Sequence, residues 1–227
     1  MPLVAAAVCP HPPALVPAVA PAAAADLAEL RAACAAAVDG LPATDAQLVV
    51  VGADATTRWL DPPYGGSFGQ WGEPAVVVGT GDAGLPLSLL VGAWLLGGAQ
   101  PARMLAVASH EAPAGCLELG ARLAAGGPVA LLVMGDGAAR RGEKAPGYLD
   151  PRAEAFDAAV ARSLGTADLR ALAGLDPVLA AELLAAGRAP WQVLAGAAGG
   201  RPWHAELRYA DAPYGVGYFV ASWSSWS

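Results

Sequence analysis

The chain has 227 residues, of which 56% are hydrophobic and only 15% charged. That length suits one domain, or one domain with a small subdomain, and the apolar fraction excludes intrinsic disorder. The net charge of -7, with a single lysine (Lys144) and no Lys/Arg cluster, argues against nucleic acid as a partner, because a polyanion would meet net repulsion.

No membrane segment is expected. The longest apolar run, Leu85 to Ala99, is too short to span a bilayer comfortably, and Gly92, Gly97 and Gly98 interrupt it. The first residues, MPLVAAAVCPHPPALVP, lack a basic leader and are broken by prolines, so they make a poor signal peptide. Cys9, Cys34 and Cys116 are odd in number, widely spaced and without a CxxC pair. They suggest no disulfide framework, and a reduced, cytoplasmic setting is the expectation.

Strand-like apolar runs alternate with helical patterns along the chain. Leu3 to Cys9 is the first predicted strand, stopped by Pro10-His11-Pro12-Pro13, which cannot continue a ladder. Ala22 to Val38 reads as a helix with Leu27, Leu30, Cys34 and Val38 on one face, ended by Gly40 and Pro42. QLVVVG, Gln47 to Gly52, is a strand of the kind buried on both faces. Ala53 to Pro74 reads as a long loop, and loops of that length in a compact domain are often functional. AVVVG, Ala75 to Gly79, is the third predicted strand, and Leu85 to Leu96 an apolar helix. Met104 to Ala108 is the fourth strand, ending at Ser109-His110-Glu111, with a helix from Cys116 to Ala125 after it. PVALLVM, Pro128 to Met134, is the fifth, stopped by Gly135-Asp136-Gly137. Asp150-Pro151 and Asp176-Pro177 each place an N-cap Asp before a Pro at the first helical position. The first of these helices buries Phe156, Val160 and Leu164; the second runs through Leu184; Trp191 to Ala198 is a further helix. Tyr209 to Trp223 closes the chain with strand-like residues, notably Val216 to Ala221.

Buried strands alternating with amphipathic helices predict a single α/β domain, residues 1–227, with a central, mostly parallel or mixed sheet and helices on both faces. In such sheets ligands sit beyond the carboxyl ends of the strands, which selects four segments: Pro10-His11-Pro12, Ala53-Asp54, Ser109-His110-Glu111 and Gly135-Asp136-Gly137. His11, fenced by prolines, is a metal ligand, an acid/base, or a turn histidine with a structural hydrogen bond. Asp54 is a carboxylate ligand or, more commonly at such a place, a cap for the turn. His110 and Glu111 either complete a site or form a polar pair in a surface loop. His204, beside Trp203, reads as packed or exposed. A glycine-flanked Asp136 can mark a phosphate or metal loop, but neither GxxxxGK[ST], GxGxxG nor GxSxG occurs.

Several segments, taken together and in order, resemble the LigB-type class III extradiol ring-cleavage dioxygenases, whose fold the Memo proteins share. Cys9-Pro10-His11-Pro12-Pro13, followed by Leu15-Val16-Pro17, is similar to the family's His-Pro-Pro opening. Gly135-Asp136-Gly137-Ala138-Ala139-Arg140 sits where the family has Gly-Asp-Leu-Ser-His-Arg. Ala145-Pro146-Gly147-Tyr148 with Phe156-Asp157, the helix Trp191 to Ala198, and Ala212 to Tyr218 are similar to later family segments. The Ala- and Arg-rich composition suits a divergent, actinobacterial-type branch.

The resemblance implies a ferrous site held by two histidines and a carboxylate, with positions open to a catecholate and dioxygen, and a further histidine as acid/base. Carried over by position, His11 matches the first ligand, the second ligand falls at Asp54, Glu182 is the nearest candidate for the carboxylate, and the acid/base position holds Ala139. Ala139 cannot transfer a proton, which is worth about 10²–10⁴ in rate; His110 is a weak substitute that nothing in the sequence requires. Gly135, Asp136 and Gly137 are expected to line the pocket.

Three readings follow. One is an Fe(II)-dependent dioxygenase-like enzyme with ring cleavage altered or lost. The second is a non-catalytic, Memo-like binding or scaffold protein with an apolar pocket and no metal. The third is a small-molecule hydrolase in which Asp136 converges with Asp54 or Asp82. The partner implied is a small aromatic molecule, and the family's habit and the apolar strands leave a homo-oligomer open.

Overall fold

The computed structural model describes residues 3–42, 46–81 and 84–225. Four strands run parallel at the centre: β1 (Leu3–Cys9), β2 (Gln47–Asp54), β6 (Arg103–Ala108) and β7 (Val129–Met134). Around them lie β3 (Arg58–Leu60), β8 (Trp203–Asp211) and β9 (Tyr218–Ser225), all antiparallel to their neighbours. The order is β3-β6-β2-β7-β1-β9-β8, so the sheet is mixed, with seven strands.

Both faces of the central strands are covered, which is why they read as unbroken apolar runs rather than alternating ones. VALLVM of β7 is buried at every position. On one face pack α1 (Ala28–Asp39) and α2 (Leu87–Leu95), against Ala7, Val50, Met104 and Leu132. The other face carries α3 (Pro113–Ala125), α4 (Ala153–Thr166), α5 (Leu169–Ala173), α6 (Pro177–Glu182) and α7 (Arg188–Ala198), against Val8, Val51, Val107 and Val133. α3 and α7 cross in backbone contact: a Cβ on Gly120 would collide with the Val193 carbonyl oxygen. The α/β class and the two helical layers thus follow the sequence pattern.

Three local expectations are corrected. The helix expected from Ala22 begins at Ala28, because Pro21 opens a short 3-10 turn, Pro21–Ala23, before it. The long loop after β2 contains β3 and β4 (Gly65–Phe68), and AVVVG is part of β5 (Glu73–Gly79), which pairs with β4 in a separate two-stranded sheet. Its Val77 is 62% exposed, so the apolar run does not mark a central strand. Asp150 does not cap a helix: it accepts from the Arg152 amide at 2.9 Å in a turn, and α4 starts at Ala153. The strand-like chain end falls on two paired strands, β8 and β9. The Asp176-Pro177 device works as expected, with Asp176 accepting from the Val178 amide at 2.8 Å.

Cys9, Cys34 and Cys116 are buried free thiols. Among the described residues, no helix is long and apolar enough to cross a membrane.

Candidate functional site

Register brings the carboxyl ends of the parallel strands level. Cys9 lies opposite Met134, Met134 opposite Gly52, and Asp54 opposite Ala108. The chain leaves β1 toward the α1 face and β7 toward the α4 face. A crevice for ligands opens where neighbouring strands diverge in this way.

The two turns that follow β1 and β7 do meet there. The His11 amide donates to Asp136 Oδ1 at 2.7 Å, and His11 Nδ1 stands 3.6 Å from the same oxygen. That Nδ1 is buried and has no hydrogen-bond partner. Burial pushes the Asp136 carboxyl above the usual carboxylate range, and His11 opposes the shift. Burial also raises the Tyr218 phenol, with the charge of Asp136 adding to the effect. His11 and Asp136, two residues selected from the sequence, therefore form one contact pair.

The crevice is packed rather than hollow. A Cβ on Gly135 would stand 2.6 Å from Gly187 Cα and 2.9 Å from Trp191 Nε1. The Gly187 amide donates to the Asp136 carbonyl at 2.8 Å, and the Gly137 amide to the Gly217 carbonyl at 2.7 Å. Behind this turn sits a buried ion pair. Asp157 accepts from the Ala138 amide at 2.8 Å and from Arg141 Nη1 at 3.1 Å. Burial raises the Asp157 carboxyl, and those two donors work against the rise. The expectation that Gly135, Asp136 and Gly137 line a pocket is thus corrected: they pack against Gly187, Trp191 and Gly217.

The two carboxylates expected to hold iron are committed elsewhere. Asp54 Oδ2 is bonded by Arg58 Nη1. Glu182 Oε2 accepts from Arg152 Nη1 at 2.7 Å, and Arg152 Nη2 also binds Asp150 at 2.7 Å, tying α6 to the loop after β7. Arg152 holds the half-buried Asp150 carboxyl down at about 2. Among the described residues no three His, Cys, Asp or Glu side chains converge so as to hold a metal. His11, Asp54 and Glu182 are not gathered into a triad, and the donor set does not fit an iron ion. The hydrolase reading fares similarly: Asp136 pairs with His11 and Asp54 with Arg58, while Asp82 lies outside the described residues. Ala139 contributes only backbone, its amide donating to Leu183 and its carbonyl accepting from Gly147.

Open space lies beside the crevice. A cleft of about 630 Å³ is lined by Ser109 and His110 beyond β6, by α6 from Pro177 to Glu182, and by Leu184, Ala185 and Ala186. Its wall is mostly apolar, with His110 and Glu182 as its titratable side chains. Leu184 takes φ +56° and is 49% exposed, a costly backbone state for a bulky residue and one that clusters at ligand sites. The Ser109–Glu111 turn is held from beneath by Arg188. This guanidinium is 2% exposed, and it donates to the Ser109 and Glu111 carbonyls, to Gln192 Oε1 at 2.9 Å and to Cys116 Sγ at 3.8 Å. Burial pushes the Cys116 thiol up to about 11 even with Arg188 beside it.

Sequence reasoning selected His11, Asp136 and His110 from their places at strand ends. It missed Arg188, Leu184 and the Arg141–Asp157 pair. Asp157 was visible only through the Phe156-Asp157 resemblance, and nothing local announces a partner 16 residues away.

No protein-family model and no curated protein matches the chain. Among solved structures, it is similar to the uncharacterised protein JW3007 of Escherichia coli K12, with a TM-score of 0.57 and 16% identity. That match covers 98% of this chain and 100% of the other. At that identity the likeness concerns the fold alone.

Proposed function

We propose that this chain is a divergent protein of the LigB-type fold whose iron site has lapsed, and that it binds a small, largely apolar aromatic molecule in the cleft between β6 and α6. One observation carries this reading: Asp54 and Glu182 are bonded to Arg58 and Arg152, while a cleft of about 630 Å³ stands open beside them. That volume falls within the range of small-molecule sites, roughly 300–1,000 Å³. Its wall is suited to a flat apolar ring, with His110 at hand for a phenol or carbonyl group. Ring cleavage is not expected, because the acid/base position is Ala139 and, among the described residues, no triad replaces the family's iron ligands.

The test is titration with N-phenyl-1-naphthylamine, an uncharged aromatic dye that brightens in apolar surroundings. Val178→Asp and Leu184→Asp place a carboxylate on the cleft wall. Each is expected to weaken dye binding by about tenfold, as burying an unpaired charge would. Binding that both variants leave unchanged would overturn the reading, as would oxygen uptake with catechols by the purified protein.

A further inference from the structure

We propose a second binding site, at the amino-terminal ends of the parallel strands and so at the opposite end of the sheet from the cleft, for a small anion carried on an apolar body. The groove has about 540 Å³ and follows the edge formed by β3, β6 and the start of β2, under the end of α3. Arg58, Arg103 and Arg122 line it together with Trp59. Its floor is apolar, made by Val49, Leu119, Leu123 and Val129. Among the described residues no acidic side chain lines it, in a chain whose net charge is -7.

The arginines are partly engaged from outside the groove, and this leaves donors to spare. Arg103 gives Nε to Asp61 at 2.7 Å, while its guanidinium carbon sits 4.3 Å from the centre of the Trp59 ring. That stacking holds the charged plane at the rim and leaves its terminal N–H groups unspent. Arg122 approaches Glu118 only at 3.8 Å, beyond hydrogen-bond distance. Arg58 is the most committed, bonded to Asp54 and to Thr56. Two guanidinium groups with free forks over an apolar floor suit a carboxylate, sulfonate or phosphate whose body is a ring or acyl chain. An uncharged body of the same shape gains only the floor.

The experiment compares two dyes that differ by one charged group, 8-anilinonaphthalene-1-sulfonate and N-phenyl-1-naphthylamine. They are titrated into the wild type, an Arg103→Ala/Arg122→Ala variant and an Arg170→Ala control, where the arginine is exposed and distant in sequence from the groove. The double variant is expected to lose roughly tenfold or more in affinity for the sulfonate, the size of lost charge-assisted hydrogen bonds. Its affinity for the uncharged dye stays within about twofold, and its circular dichroism is unchanged. Rising ionic strength should weaken sulfonate binding to the wild type and not to the double variant. The proposal is overturned if the double variant binds the sulfonate as the wild type does, if it loses both dyes equally, or if Arg170→Ala has the same effect.

Discussion

The crevice between β1 and β7 and the cleft beside α6 occupy the same end of the sheet, but they are built for different ends. In the crevice the carboxylates are engaged and the glycines packed: Asp136 on the His11 amide, Asp157 on Ala138 and Arg141, Gly135 against Gly187. The cleft has a thin apolar wall, an exposed Val178 and a Leu184 held in a left-handed backbone state. One region commits its carboxylates to structure; the other exposes an apolar wall. Chemistry-bearing residue types at strand ends therefore do not by themselves mark the working site. What matters is which of them remain unspent after the ion pairs have formed.

The sharpest way to break this contrast is to compare stability across the two regions. Asp157→Ala leaves Arg141 without its partner and the buried Ala138 amide without an acceptor. The expected loss is about 3 kcal/mol in urea unfolding, near the low end for a broken buried pair because Arg141 keeps some solvent. Val178→Asp, on the cleft wall, should change stability by no more than about 0.5 kcal/mol. Equal costs at the two positions would erase the distinction. Gly135→Ala tests the packing directly. A methyl pressed against the Gly187 backbone should cost about 1–3 kcal/mol and lower Tm by several degrees.

Leu184→Gly should separate the two properties within the cleft. Glycine relieves the left-handed strain, so stability should rise by about 0.5–1 kcal/mol even though an exposed leucine is lost. Dye affinity should fall, because a wall of the cleft is gone. A fall in both, or a rise in both, would mean that Leu184 is not held there for the cleft.

The smallest effect concerns pH. Asp136 and Asp157 have carboxyls raised by burial, so between the ordinary carboxylate value and their raised values the folded protein holds more protons than the unfolded chain. Stability then falls as pH rises through that window. Asp136→Asn should flatten this part of the profile, measured by unfolding at a series of pH values. Asp150 works in the opposite sense: its carboxyl is lowered to about 2, so its contribution is lost as pH falls toward that value.

Much of the frame was legible in the sequence because buried parallel strands announce themselves. Gln47 to Gly52 and Pro128 to Met134 have no polar residue after Gln47, and both form central strands. The proline fence after Cys9 and the glycines around Asp136 marked His11 and Asp136 as strand-end residues; their meeting follows only from the pairing of β1 with β7. The hairpin of β4 and β5 was not legible. A run such as AVVVG states that a strand forms but not which partner it takes. The ion pairs were hidden for a related reason: Arg152 with Glu182 and Arg141 with Asp157 join residues whose proximity only the completed fold creates. Leu184 gave no signal, because its backbone state is one that glycine would normally mark.

The central claim is that the two carboxylates matching an iron site, Asp54 and Glu182, are spent elsewhere. An anaerobic Fe(II) titration of metal-free wild type, run beside His11→Ala, tests it most directly. The account expects no stoichiometric binding in the wild type beyond that of the variant. One equivalent of iron bound by the wild type and lost in His11→Ala would contradict it.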